Sequence, residues 1–130
     1  MVPSRSPKQE RGQSAAEFAL VLPVLVLLLF LIIDFGRAVY CYHVVASAAR
    51  EGARFGQVST HTAAGAVARA RDTAVGLDAS ALTVNVGYPS ADTIQVSVSY
   101  AFRPVTPLIG NLLGGGALVL QSASTMYTGN

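Results

Sequence analysis

Hydrophobic and polar positions divide this chain into two parts that meet near residue 56. Residues 18–33 are sixteen consecutive uncharged positions, fourteen of which are Leu, Val, Ile or Phe. From residue 57 onward, polar and apolar residues are mixed in the proportions of an ordinary folded domain. A run of this apolarity and length predicts a helix that crosses a membrane.

The helical pattern continues beyond the apolar run. Between Gln13 and Gly56 only Pro23 could interrupt a helix, and a membrane helix tolerates proline as a kink. Acid-first charge pairs three residues apart, which favour a helix, occur twice: Asp34 with Arg37, and Glu51 with Arg54. We therefore predict one helix over residues 13–56 that spans the membrane and extends outside it.

The length of the apolar run leaves one question open. Its fourteen apolar residues favour insertion by about 4–8 kcal/mol, more than the roughly 2.5–3.5 kcal/mol that one carboxylate costs at mid-helix. However, sixteen residues cover only about 24 Å, against about 30 Å of hydrocarbon. To span the hydrocarbon, the helix must also place within the bilayer either the turn at Gln13–Glu17 or the turn at Asp34.

Residues 57–130 predict a small α+β domain. Thr62 is a suitable N-cap for a short second helix over 63–75, and Gly76 would end it. Apolar and polar residues then alternate with a period of two in residues 82–88 and 94–102, and less regularly in residues 117–127. We expect these segments to form an antiparallel sheet of about three strands. Residues 107–116 predict a loop with one helical turn. The predicted fold class is α+β.

Three small residues follow one another at intervals of four near the end of the long helix: Ala48, Gly52 and Gly56. Such a stripe lets another helix approach closely. It is equally compatible with plain local packing, and the sequence leaves both interpretations open.

Composition and charge add little support for other classes of protein. The 130 residues are 52% hydrophobic and 12% charged with a net charge of +2, and the mean hydropathy is +0.47. The arginines are scattered rather than clustered with aromatic residues, so nucleic-acid binding is not predicted. The single cysteine, Cys41, excludes an internal disulfide framework.

The residues that could perform chemistry lack the partners they need. His43 and His61 stand eighteen positions apart without other ligands at metal spacing. The glycine-rich stretch at 110–116 lacks the Lys-Ser/Thr pair of a phosphate-binding loop. Four serines at alternating strand positions are expected on a solvated sheet face: 97, 99, 122 and 124. We predict no enzyme activity, no metal or cofactor, and no small-molecule substrate.

The N-terminal stretch RGQSAAEF carries the most specific motif. Gly12, four further residues and then Glu17-Phe18 at the head of an apolar run resemble the G-x-x-x-x-E-F signal of type IV pilin-like proteins. Taken with IIDFGRAVY and REGAR further on, residues 11–56 resemble the TadE-like family. These are pseudopilins of tight-adherence (Flp) pilus systems.

The resemblance implies processing and a role for Glu17. A prepilin peptidase on the cytoplasmic side would cut between Gly12 and Gln13, which makes Glu17 the fifth residue of the mature chain. Glu17 would then pair with the new Gln13 amine of a neighbouring subunit and set the register of stacked helices. Two opposite charges at a membrane boundary are less costly to desolvate together than apart. By position alone, Glu17 would simply rest at headgroup level.

The resemblance also implies an organisation and partners. Residues 1–12 would be a cleaved cytoplasmic leader, which we expect to have no fold of its own, and residues 57–130 would lie outside the membrane. The basic residues on the two sides of the span are equal in number, three and three, so orientation rests on the resemblance. Expected partners are prepilin peptidase, Flp pilin, a related pseudopilin and the pilus assembly machinery. The alternative is an uncleaved single-pass membrane anchor that displays a small binding domain.

Overall fold

The computed structural model describes residues 7–58 and 61–129. Its first element, α1 (Pro7–Gly56), is one helix of 50 residues, about 75 Å long. Pro7 stands at its start, where the missing N–H is least needed, and Pro23 lies inside it without ending it. The predicted long helix is confirmed. The expectation of an unstructured leader is wrong for residues 7–12, which continue α1; the rest of the leader lies outside the described residues.

The second helix, α2 (Ala63–Thr73), begins where the sequence predicts. The Thr62 side chain accepts a hydrogen bond from the Gly65 N–H at 3.1 Å and so caps the helix. The helix ends two residues earlier than predicted. Gly76 follows with a φ of +80°, a backbone conformation that favours glycine.

A 3-10 helix (Ala79–Ala81) leads from α2 into the sheet. Asp78 caps it, because its carboxylate accepts hydrogen bonds from both the hydroxyl and the backbone N–H of Ser80. These two hydrogen bonds lower the pKa of Asp78. Residues 79–81 thus form a locally fixed turn that leads into the first strand.

The sheet is antiparallel and has three strands in the order β1-β2-β3. The strands are β1 (Leu82–Ser90), β2 (Thr93–Phe102) and β3 (Leu118–Tyr127). A six-residue helix, α3 (Pro107–Leu112), lies between β2 and β3 within the predicted loop. The α+β fold class, with a short second helix and a three-stranded sheet, is confirmed.

The hydrophobic core lies between the sheet and the outer part of α1. The sheet contributes apolar side chains of β2, the face of α1 contributes small residues, and α2 contributes alanines. Fully buried examples include Ile94, Val96, Val98, Val45, Ala48, Ala49, Ala53, Ala66 and Ala70. Small side chains allow close approach of helices and strands, and the strands therefore share one core with α1.

Strand β2 runs along α1 in the opposite direction. Near its start, Ile94 packs where a Gly56 side chain would project, and further on Val96 packs at Gly52. At its end, the Phe102 ring lies 5.2 Å from the Arg37 guanidinium carbon. The sheet therefore covers one side of α1 from about Arg37 to Gly56 and leaves residues 18–33 uncovered.

The strand register places the four serines on two different faces of the sheet, although the sequence predicts all four on the solvated face. Ser97 and Ser99 lie on the outer face, paired with Asn85 and Thr83 of β1. The expectation is wrong for the serines of β3: Ser122 pairs with Val98 and Ser124 with Val96. Directly paired residues point to the same face, so both serines are half-buried on the side of α1.

Gly52 of α1 is enclosed by α2 and β2, and one of the atoms nearest to it belongs to the α2 backbone. A Cβ there would lie 3.0 Å from the Ala70 Cβ and 3.1 Å from the Ala66 carbonyl oxygen. We expect Gly52→Val to destabilise the fold by about 1–3 kcal/mol through overpacking, measured as thermal unfolding in detergent micelles. Gly36→Val is the control, because among the described residues nothing outside its own helix lies within 4 Å of a Cβ there. Equal effects at both positions would contradict the packing assignment.

Candidate functional site

The pilin-like motif occupies the first turns of α1 and is free of contacts from the sheet domain. Gln13, Glu17 and Phe18 are all exposed. Among the described residues, no atom outside its own helix lies within 4 Å of the position that a Gly12 Cβ would take. The motif is therefore accessible to another protein along its whole length.

Gln13 and Glu17 lie on the same side of the helix because they are four residues apart. The Gln13 side-chain amide donates a hydrogen bond to the Glu17 carboxylate at 3.3 Å. This bond is long and exposed, so it is weak and readily exchanged for a charged partner. In the intact chain the Gln13 nitrogen belongs to a peptide bond, so its amine would exist only after cleavage.

The apolar run of α1 is bare. All fourteen of its large apolar side chains are exposed, from Phe18 to Ile33. α1 is long and apolar enough to cross a membrane, and its surface over these residues needs lipid or other helices to cover it. The described structure thus fits a single-pass membrane protein.

Asp34, the first charged residue after this run, is buried at 3% exposure. Its Oδ1 accepts hydrogen bonds from the Val105 N–H at 2.9 Å and from Arg37 at 3.1 Å. Its Oδ2 accepts from the Thr106 N–H at 2.7 Å and the Thr106 hydroxyl at 2.6 Å. The carboxylate therefore ties the end of the apolar run to the segment that begins α3.

Only one part of the Asp34 arrangement is predicted by the sequence, the helical pair with Arg37. The partners in Val105 and Thr106 are more than 70 positions away. The two backbone N–H groups that donate to Asp34 cannot be recognised from the residue types, because every residue except proline has such a group. Only the fold brings them to Asp34.

The small-residue stripe of α1 faces its own chain. Ala48, Gly52 and Gly56 are all buried, and the space beside the two glycines is occupied by side chains of α2 and β2. The structure therefore uses this stripe to pack the sheet domain against α1. The other side of α1 over the same residues stays exposed, including Arg50 and Arg54.

The remaining candidate residues are placed apart from one another. Cys41 is buried, and the His61 ring stacks on Phe55 with centroids 3.9 Å apart. Within residues 7–58 and 61–129, no group of three or more His, Cys, Asp or Glu could hold a metal ion. The predictions of no cofactor and no enzyme activity stay predictions.

Comparison with known proteins bears on the motif and the helix together. The family model described as TadE-like protein matches residues 12–54. The N-terminal segment of this chain is TadE-like. No curated protein and no solved structure matches the chain. The match confirms the resemblance predicted from the sequence, and it covers about a third of the 130 residues.

The TadE-like segment coincides with one physical element. It starts at Gly12, includes the Glu17-Phe18 pair and the bare apolar run, and stops two residues before α1 ends. The family suggests involvement in a tight-adherence pilus system. The strands and α2 lie outside the matched residues, although they pack on the last third of the TadE-like segment.

Proposed function

We propose that this protein is a minor pilin or pseudopilin that takes part in assembling a Flp-type pilus. Prepilin peptidase processes it between Gly12 and Gln13, and the mature chain assembles by stacking of its N-terminal helix against other pilin-like subunits. The proposal rests on the TadE-like match, which begins at Gly12 and lies on a helix whose apolar run is exposed.

Processing is compatible with the surroundings of the cleavage site. Gly12 is exposed on α1, and a peptidase must reach the backbone closely at that position, where a Cβ would obstruct it. Cleavage removes residues 1–12 with their basic side chains and leaves an ammonium group on Gln13. The N-terminus then lies in the cytoplasm and the sheet domain lies on the other side of the membrane.

Stacking would use the part of α1 that the sheet domain leaves free. Residues 13–30 are exposed on all sides within the described chain, whereas Leu31 lies beside α3 and residues 37–56 are covered on one side by α2 and the sheet. The apolar side chains of neighbouring helices would bury one another. Glu17 would pair with the Gln13 ammonium of the next subunit and fix the axial offset between them.

The mass of the intact protein, purified from its own membrane, tests this function. Loss of residues 1–12 is the expected result, with Gln13 as the first residue. The full-length chain as the only form would overturn the proposal and favour a single-pass anchor that displays the small domain.

Gly12→Ala is expected to block processing and leave the leader attached. The substitution should not disturb the fold, because the described residues leave the space beside Gly12 open. The effect would therefore arise in the peptidase. Gly36→Ala, at a second open position of α1, is the matched control and should be processed normally. A mature N-terminus at Gln13 in the Gly12→Ala protein would show that the peptidase assignment is wrong.

A further inference from the structure

The segment from Pro104 to Val119 combines a lack of charge with exposed apolar side chains. Residues 104–130 contain no Asp, Glu, Lys, Arg or His. Six large apolar side chains between β2 and the start of β3 are exposed: Val105, Leu108, Leu112, Leu113, Leu118 and Val119. Leu112 is 87% exposed. An apolar patch of this extent marks a surface that something other than water covers.

The position of this segment along α1 is fixed by Asp34. The hydrogen bonds from Val105 and Thr106 to the Asp34 carboxylate hold the start of α3 beside the end of the apolar run. An apolar cavity of about 150 Å³ lies between this segment and α1. It is lined by Ile109 of α3, Leu113 just after it and Leu118 of β3, and by Leu31 and Phe35 of α1. Because Leu31 belongs to the apolar run, α3 lies beside the last turn of that run.

Because the apolar run is short, the bilayer must also contain a turn at one of its ends, and the two ends differ in how their carboxylates are paired. The run is about 6 Å shorter than the hydrocarbon, which is roughly one helical turn. Glu17 is exposed and accepts one hydrogen bond of 3.3 Å from a described residue. Asp34 is buried and accepts four. A charge that is paired and hydrogen-bonded costs less to remove from water, so the Asp34 turn is the better suited to lie at the boundary.

We propose that residues 104–119 form a second membrane contact. α3 and its flanking apolar side chains insert into the leaflet on the sheet's side of the membrane, next to the point where α1 leaves it. The occupant is lipid, because the patch is continuous with the bare surface of residues 18–33 through Leu31. The contact depends on the membrane span alone, not on processing or on a pilus.

Two arginines stand at the height that this placement assigns to the lipid headgroups. Arg37 and Arg103 are exposed and line one cavity of about 520 Å³. Their guanidinium groups would meet headgroup phosphates while the leucines of α3 enter the acyl region, as basic side chains at membrane boundaries do. Arg103 is also the last charged side chain of the sequence before the uncharged stretch.

Depth-dependent fluorescence quenching tests the contact on the full chain in vesicles of phosphatidylcholine and phosphatidylglycerol. In a Cys41→Ala background, a polarity-sensitive fluorophore is attached at Leu112→Cys. The control is Thr125→Cys, which is exposed near the far end of β3. That end lies level with Gly56, 22 residues beyond Asp34 on α1, or about 33 Å away along the helix. Both positions are exposed, so neither label should disturb the fold.

We expect lipid carrying a spin label near the headgroup to quench the Leu112 probe several-fold more strongly than the Thr125 probe. Iodide in the buffer should quench the Thr125 probe several-fold more strongly. Leu108→Cys, exposed on the same segment, should behave like Leu112→Cys. Equal iodide quenching at 112 and 125 would overturn the proposal. So would a Leu112 probe protected from both quenchers, because a second protein subunit would then cover the segment.

Discussion

Cells that carry Glu17→Ala in place of the native protein are expected to make no pili, although the variant reaches the membrane in normal amount. Insertion is favoured by the fourteen apolar residues of the run, about 4–8 kcal/mol, and removing a carboxylate does not reduce it. Assembly fails because the Gln13 ammonium of the next subunit loses its partner. Membrane fractionation measures the first quantity and electron microscopy of the cell surface the second.

One further variant separates the charge of Glu17 from its shape, and a second serves as a control. Glu17→Gln keeps the size of the side chain but cannot attract an ammonium as a charge, so we expect pili to be lost here as well. Glu10→Ala is the matched control, since Glu10 is exposed on the same helix but would be removed with the leader. Abundant pili in the Glu17→Ala strain would contradict the pairing. Loss of the variant from the membrane would reduce Glu17 to a role in topology.

Replacing Asp34 with alanine is expected to detach the start of α3 from α1. The substitution leaves the N–H groups of Val105 and Thr106 and the Thr106 hydroxyl without their acceptor. Leaving a buried donor without its acceptor costs about 1–3 kcal/mol for each group, and every 1.4 kcal/mol is tenfold. Amide hydrogen exchange at Val105 and Thr106, in detergent micelles, should therefore accelerate by about a hundredfold or more.

The control for Asp34 is Asp72→Ala, an exposed carboxylate on α2, which should change exchange at Val105 and Thr106 little. Asp34→Asn should give an intermediate result, since the amide keeps one acceptor oxygen and loses the charge. Unchanged protection of the two amides in the Asp34→Ala protein would mean that the hydrogen bonds to Asp34 do not hold the segment.

The elements could be predicted from sequence because each has a local signal. A run without charge over residues 18–33 predicts α1, Thr62 marks the start of α2, and two-residue alternation marks β1 and β2. The α2 predicted from the sequence extends two residues too far, and residues 7–12 are helical although the sequence predicts no fold for them. Both differences concern helix ends, and element boundaries are what a sequence pattern predicts least reliably.

Contacts between distant residues could not be predicted in the same way. The sequence left open whether the stripe of Ala48, Gly52 and Gly56 faces another helix, and the structure places it against α2 and β2 of the same chain. The sequence places the serines of β3 on the wrong face, because alternation alone does not say which of two faces is buried. The register with β2 determines that Ser122 and Ser124 point toward α1.

Three features can be predicted from the sequence alone: the long apolar helix, the α+β class, and the pilin-like motif at Gly12, Gln13, Glu17 and Phe18. These depend on residues that are neighbours in the chain, so their composition and spacing carry the information. Two others depend on the three-dimensional packing: Asp34 holds the start of α3, and apolar side chains of residues 104–119 lie beside the apolar run. Such contacts join residues more than 70 positions apart, and the packing of the sheet on α1 brings them together.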